Sequence, residues 1–113
     1  MEVAFEGAFR RGASRVVIIG SDCPAIMPAD IHAAWAALRD YDVVLGPAQD
    51  GGYWLIGLRR NEPSLFRWMR WSTGAVCRET IQRARRVGLR LKLLRTLSDV
   101  DTGKDWERLK AKS

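Results

Sequence analysis

Four short runs of apolar residues, separated by polar segments, predict the strands of one sheet. The first covers residues 15–20, and its core from Val16 to Ile19 is β-branched without a polar position. That pattern is typical of a strand with both faces buried, usually in a parallel sheet. The other runs cover residues 43–46, 53–58 and 89–95. The connection between the second and third runs is too short for a crossover, so we expect those two strands to be antiparallel.

Apolar residues at helical spacing predict the helices. A first helix covers Met1 to Gly12, a second begins at Pro28, and a third holds the stripe Cys77, Ile81 and Ala84. A terminal helix holding Trp106 and Leu109 is expected to close the chain. The fold class is therefore α/β, with one domain over 1–113.

Length and composition are those of an ordinary globular chain with one core. It has 113 residues, of which 47% are hydrophobic and 28% charged. No apolar run approaches the roughly 20 residues of a membrane span, and no leader resembles a signal peptide. Two cysteines offer neither a metal spacing nor a disulfide framework. We therefore expect a cytoplasmic protein without a membrane partner.

The net charge of +6 is unevenly distributed. Between Arg59 and Arg95 there are eleven Lys or Arg against two Asp or Glu, a balance of +9, whereas the remainder carries −3. A basic stretch of this kind can meet nucleic acid or another anionic surface. Because no recognition motif accompanies the arginines, we expect a solvated helix face and do not expect a nucleic-acid partner.

Asp22 directly follows the first strand, beyond Gly20 and just before Pro24. Ligands of open α/β sheets gather beyond the carboxyl ends of the strands, so Asp22 is a candidate functional carboxylate. An Asx-turn or a helix cap explains the same residue equally well, and this segment alone does not separate the two interpretations.

Three further carboxylates occupy loop positions. Asp50 lies in a turn with Gly51 and Gly52, where backbone can approach a ligand closely, while Asp99 and Asp101 follow the fourth strand. Acids clustered at one rim of a basic chain suggest a hard cation such as Mg²⁺. Asp101 also fits a helix-capping motif, and the two roles are compatible.

Ser72 and Thr73 precede the third helix and can either cap it or help to hold an anion on its free backbone N–H groups. Capping is the simpler interpretation. No Ser/His/Asp or Cys/His arrangement can be built, because His32 is the only histidine. Nothing near Cys23 would lower the pKa of its thiol.

Four motifs carry a family resemblance. The stretches Val-Val-Ile-Ile-Gly-Ser-Asp-Cys-Pro24, Val-Val-Leu-Gly-Pro-Ala-Gln-Asp-Gly-Gly-Tyr-Trp-Leu-Ile-Gly-Leu58, Trp-Ser-Thr-Gly74 and Asp-Val-Asp-Thr102 resemble a largely uncharacterised bacterial family of glycosyltransferase-A-like proteins. That family is similar to molybdenum-cofactor and 2-phospholactate guanylyltransferases, within the nucleotide-diphospho-sugar transferase superfamily. The resemblance spans nearly the whole chain and is more specific for the family than for a reaction.

The resemblance implies a role for each motif. Asp22 would match the metal-binding acid after the central strand, and Asp101 the second acid, together holding Mg²⁺ or Mn²⁺. Asp50, Gly51 and Gly52 would match the turn facing the acceptor or sugar. The implied chemistry is metal-assisted transfer from a nucleotide or nucleotide sugar, by a glycosyltransferase or nucleotidyltransferase. The resemblance also implies a mixed, mostly parallel sheet with one antiparallel strand and helices on both faces. In the implied strand order, 53–58 lies between 15–20 and 43–46, and 89–95 is outermost.

One departure accompanies this agreement. Such proteins begin with a strand and a glycine-rich loop bearing Arg or Lys, and this sequence contains no such loop. We therefore expect the C-terminal, acceptor and metal side of the fold, without the nucleotide-binding part. We also expect weak binding of nucleotides or nucleotide sugars, or none, and no turnover. The alternative is a non-catalytic half-domain acting as an interaction or assembly module. Strand 15–20 would become an exposed edge, which predicts a homodimer or higher oligomer through that strand or the helix 1–12.

Overall fold

The computed structural model describes residues 2–20, 25–71 and 74–97, and the backbone of residues 106–111. Within these ranges the chain forms three α-helices, one short 3-10 turn and five strands, in the order α1 (Glu2–Arg10), β1 (Arg15–Gly20), α2 (Pro28–Ala37), β2 (Val43–Pro47), β3 (Tyr53–Leu58), the 3-10 turn (Pro63–Leu65), α3 (Val76–Arg86), β4 (Leu91–Leu93) and β5 (Trp106–Ala111). None of the helices in this part of the chain has the length and hydropathy needed to cross a bilayer.

The five strands form one mixed sheet in the order β4-β2-β3-β1-β5. The central strand β3 is antiparallel to both neighbours, with Leu58 opposite Val16 on one side and Val43 on the other. Strand β4 runs parallel to β2 at one edge. The predicted α/β class, the position of β3 between β1 and β2, and the outer position of the fourth strand are confirmed.

The last strand corrects two expectations. Residues 106–111 form β5, which pairs antiparallel with the whole of β1, whereas a terminal helix was expected there. Trp106 and Leu109 have helical spacing. If residues 106–111 formed a helix, however, the N–H and C=O groups along one edge of β1 would lack partners, and β5 supplies those partners. The sheet therefore has two antiparallel strands, not one.

Because β5 covers β1, the edge expected at residues 15–20 is not exposed. The structural reason for a homodimer through that strand is thereby removed. The other predicted surface, α1, turns Phe5 and Ala8 into the core and leaves Val3 exposed. Nothing in the fold tests association through α1.

Two apolar layers cover the two faces of the sheet. Side chains of β1 alternate between them: Val16 and Ile18 pack with α1 and α3, while Val17 packs with α2. Strand β2 alternates in the same way. The prediction that the first strand is buried on both faces is confirmed.

Candidate active site

Three chain segments meet at one rim of the sheet. Ile19 near the end of β1 pairs with Leu55 in the first half of β3, and Pro47 at the end of β2 pairs with Tyr53. Strand β4 runs parallel to β2, so it ends at the same rim. The chain beyond β1, the turn between β2 and β3, and the chain beyond β4 therefore start from one place.

The turn between β2 and β3 is closed by its own hydrogen bonds. The N–H of Ala48 donates to the carbonyl of Gly52 at 2.9 Å, and that of Gly51 donates to the carbonyl of Ala48 at 3.0 Å. The N–H of Gly52 donates to Oδ1 of Asp50 at 2.9 Å. Asp50 is thus an Asx-turn residue with an exposed side chain, and the turn holds that carboxylate at the rim.

The turn rests directly on the segment that leads into α3. Gly51 has φ +95°, and a Cβ at this position would lie 1.8 Å from the carbonyl oxygen of Gly74. The N–H of Cys77 donates to the carbonyl of Gly51 at 2.9 Å. Two of the predicted substrate-binding segments, 50–52 and 72–74, are therefore in contact at Gly74.

The start of α3 differs from the expected cap. Ala75 occupies the N-cap position without a side-chain hydrogen bond, so neither Ser72 nor Thr73 is the N-cap residue. The Gly51 carbonyl satisfies one of the helix's first N–H groups, at Cys77, in place of a capping side chain. That donor is consequently not available to an anion.

The chain beyond β4 is fastened to the same turn. The N–H of Gln49 donates to the carbonyl of Leu97, and the N–H of Leu97 donates to the carbonyl of Pro47, each at 3.0 Å. Leu97 is buried and stands two residues before Asp99. The segment that carries Asp99 and Asp101 thus departs from the Asp50 turn.

An ion pair that the sequence did not reveal joins α2 to this segment. The guanidinium of Arg95 donates to both carboxylate oxygens of Asp30, at 2.8 and 2.7 Å, and to the carbonyl of Ala25 at 2.9 Å. Asp30 also accepts the N–H of Met27, the N-cap residue of α2, as the third helical residue does in a capping box. The bond to Arg95 is the main reason that the pKa of Asp30 is lowered. Because the partners are 65 residues apart, no sequence pattern signals the pair.

Two buried groups behind the rim are structural. Burial raises the pKa of the Tyr53 hydroxyl, which is hydrogen-bonded to Thr80 and so joins the start of β3 to α3. Burial also raises the pKa of the Cys77 thiol, which disfavours the reactive thiolate. Neither group has the properties of a nucleophile.

The predicted site residues fall into two groups. Asp50, Gly51 and Gly52 lie at the rim, whereas Asp22, Ser72, Thr73, Asp99 and Asp101 lie outside the described residues. Among the described residues, no group of three or more His, Cys, Asp or Glu could hold a metal ion. The predicted metal ligation by Asp22 and Asp101 therefore stays a prediction. The end of β1, which precedes Asp22, and the segment after β4, which precedes Asp101, both lie at this rim.

Comparison with known proteins gives two matches. A family model described as "Uncharacterized protein conserved in bacteria (DUF2064)" matches residues 1–73, a range that ends before Asp101. The fold is similar to the crystal structure of a "putative nucleotide-diphospho-sugar transferase" from Desulfovibrio desulfuricans G20, with a TM-score of 0.84 and 39% sequence identity. The match covers 90% of this chain but 45% of that chain. No curated protein matches.

Proposed function

The chain belongs to the DUF2064 family of proteins conserved in bacteria, and on that premise we propose that it forms the acceptor and metal side of a glycosyltransferase or nucleotidyltransferase. The observation that carries the proposal is the contact between the 50–52 turn and Gly74 at the rim from which the Asp22 and Asp101 segments depart. Likeness to a protein described as a "putative nucleotide-diphospho-sugar transferase" supports the same reaction class.

Each rim segment has a role in this proposal. Asp22 and Asp101 would hold Mg²⁺ or Mn²⁺, and the bound cation would supply positive charge for the donor phosphates and the leaving group. The 50–52 turn presents the Asp50 carboxylate and backbone to an acceptor, held rigid by its contact with Gly74. The chain spans less than half of the related structure, so we assign it no donor specificity.

The proposal is tested by mapping amide chemical shifts of the isotope-labelled chain during titration with Mg²⁺ and nucleotide sugars. We expect changes at Gly51, Gly52 and Gly74, and none at Gly12 and Gly88, which precede strands at the opposite rim. Even weak binding is visible in this experiment at millimolar ligand. Absence of any shift, or shifts centred away from the 50–52 turn, would favour a non-catalytic interaction module instead.

A further inference from the structure

The segment between the 3-10 turn and α3 holds an exposed tryptophan, Trp68, in a backbone conformation that is rare for a bulky residue. Trp68 is 89% exposed and has φ +60°, in the left-handed region that a bulky residue seldom adopts. No other described non-glycine residue has a positive φ. A large apolar ring held in strained backbone and turned to solvent indicates function more than folding.

The backbone on both sides of Trp68 is anchored, which explains why the ring cannot turn inward. Phe66 is buried and stacks on Phe5 with ring centroids 5.4 Å apart, and Met69 packs against the same core. Arg83 of α3 donates to the carbonyls of Leu65 and Arg67, at 3.3 and 2.6 Å. The segment is therefore preorganised, with the Trp68 ring projecting from it.

Three exposed arginines, Arg67, Arg70 and Arg86, and one ion pair, in which Arg83 contacts Glu79 at 3.1 Å, surround the ring. Two shallow depressions of about 280 and 320 Å³ share Trp68, Glu79 and Arg83 and continue along α3 from Ala75 towards Val87. Arg67 and Arg86 are exposed, and neither side chain forms an ion pair with another described residue. We call this surface the Trp68 track; its basic residues are Arg67, Arg70, Arg83 and Arg86.

We propose that the Trp68 track binds single-stranded nucleic acid, with a base stacked on the indole and phosphates on the flanking arginines. Stacking on an exposed aromatic ring beside a positively charged groove is how proteins bind single strands without reading sequence. α3 has 11 residues, and a helix of that length is about 16 Å long, which suits a polymer of several nucleotides better than one small ligand. The sequence suggested a solvated helix face; the exposed ring among the arginines is what the structure adds.

The test is fluorescence anisotropy of a labelled single-stranded 12-mer titrated with the full chain at two salt concentrations. We expect Trp68→Gly to weaken binding about tenfold and Trp68→Phe to retain most of it. Glycine accepts the left-handed backbone, so Trp68→Gly should stay folded. We expect Arg86→Gln to weaken binding and to lower the salt slope by about one.

Arg11→Gln is the matched control, because it removes one exposed charge from the chain ahead of β1, outside the track. It should change affinity less than Arg86→Gln does. The proposal is overturned if the wild-type chain does not bind the 12-mer, or if Trp68→Gly and the wild type bind it equally. It is also overturned if a free mononucleotide or an oligoglutamate peptide binds as tightly as the 12-mer. If Trp68→Gly does not fold, the two arginine variants test the proposal instead. Equal affinity of Arg86→Gln and Arg11→Gln for the 12-mer would then overturn it.

Discussion

Gly51 and Gly74 approach so closely that a Cβ on Gly51 would lie 1.8 Å from the carbonyl oxygen of Gly74. This contact joins the 50–52 turn to the segment entering α3, and it requires glycine at residue 51 for both space and its φ of +95°. We expect Gly51→Ala to lower the free energy of unfolding by about 1–3 kcal/mol and to abolish ligand-induced shifts at the rim.

The matched control for this variant is Gly7→Ala in α1, where a Cβ meets only the flexible Arg11 side chain at 3.4 Å. A helical Gly→Ala change should stabilise by about 0.5–1 kcal/mol. Urea unfolding of both variants measures the difference. If the two variants were equally stable, the turn would be able to move away from Gly74 without lowering the free energy of unfolding.

Asp42 makes stability depend on pH. Burial would raise the pKa of Asp42, but the N–H of Arg90 at 2.9 Å and the guanidinium groups of Arg59 and Arg60 outweigh it and lower the pKa overall. A lowered folded pKa contributes stability that is present above the unfolded value of about 3.9 and is lost as pH falls through the folded value.

We expect Asp42→Asn to lower the free energy of unfolding near neutral pH by about 2–3 kcal/mol, because its charge-assisted bonds are lost. The loss should shrink as pH falls through the folded pKa of Asp42, because the wild-type carboxylate then becomes protonated as well. Asp40→Asn, at an exposed residue nearby, should change little. A penalty for Asp42→Asn that is independent of pH would contradict this assignment.

Cys77 should react slowly in the folded chain. Its side chain is buried and burial raises the pKa of the thiol, so both access and thiolate fraction are reduced. In a Cys23→Ser background, we expect Ellman's reagent to modify Cys77 at least about tenfold more slowly in the folded than in the unfolded chain. Equal rates in buffer and in denaturant would show that the start of α3 opens freely.

β5 should suppress association through β1. A chain ending at residue 105 lacks the strand that pairs with Arg15–Gly20 and exposes that edge, which invites pairing with a second copy. We expect the shortened chain to sediment as larger species than the full chain at equal concentration. If both sediment alike, the covering of β1 has no influence on the oligomeric state.

The strands could be predicted from sequence because their signal is local. The β-branched run at residues 16–19 is enough to predict a buried strand. The Gly-rich turn at 50–52 is enough to predict that the strands on either side of it are antiparallel. β5 could not be predicted, because Trp106 and Leu109 carry helical spacing, and only an unpaired β1 edge favours a strand there. Long-range pairing overrode a weak local preference.

The same distinction explains what was missed around the site. The Arg95–Asp30 pair depends on the first turn of α2 meeting the segment after β4, 65 residues away, and nothing in either segment indicates its partner. Trp68 looks like one more core aromatic beside Phe66 until the backbone turns it outward. By contrast, the two glycines of the 50–52 turn were enough to predict it from the sequence.

The central claim is that the rim holds a divalent cation between Asp22 and Asp101, and electron paramagnetic resonance of free Mn²⁺ tests it most directly. Titrations of the wild type, Asp22→Asn, Asp101→Asn and the control Asp40→Asn give four affinities. The account predicts that the first two variants each weaken Mn²⁺ binding about tenfold or more, while Asp40→Asn binds like the wild type. Equal affinities in all four chains, or no Mn²⁺ binding by the wild type, would contradict it.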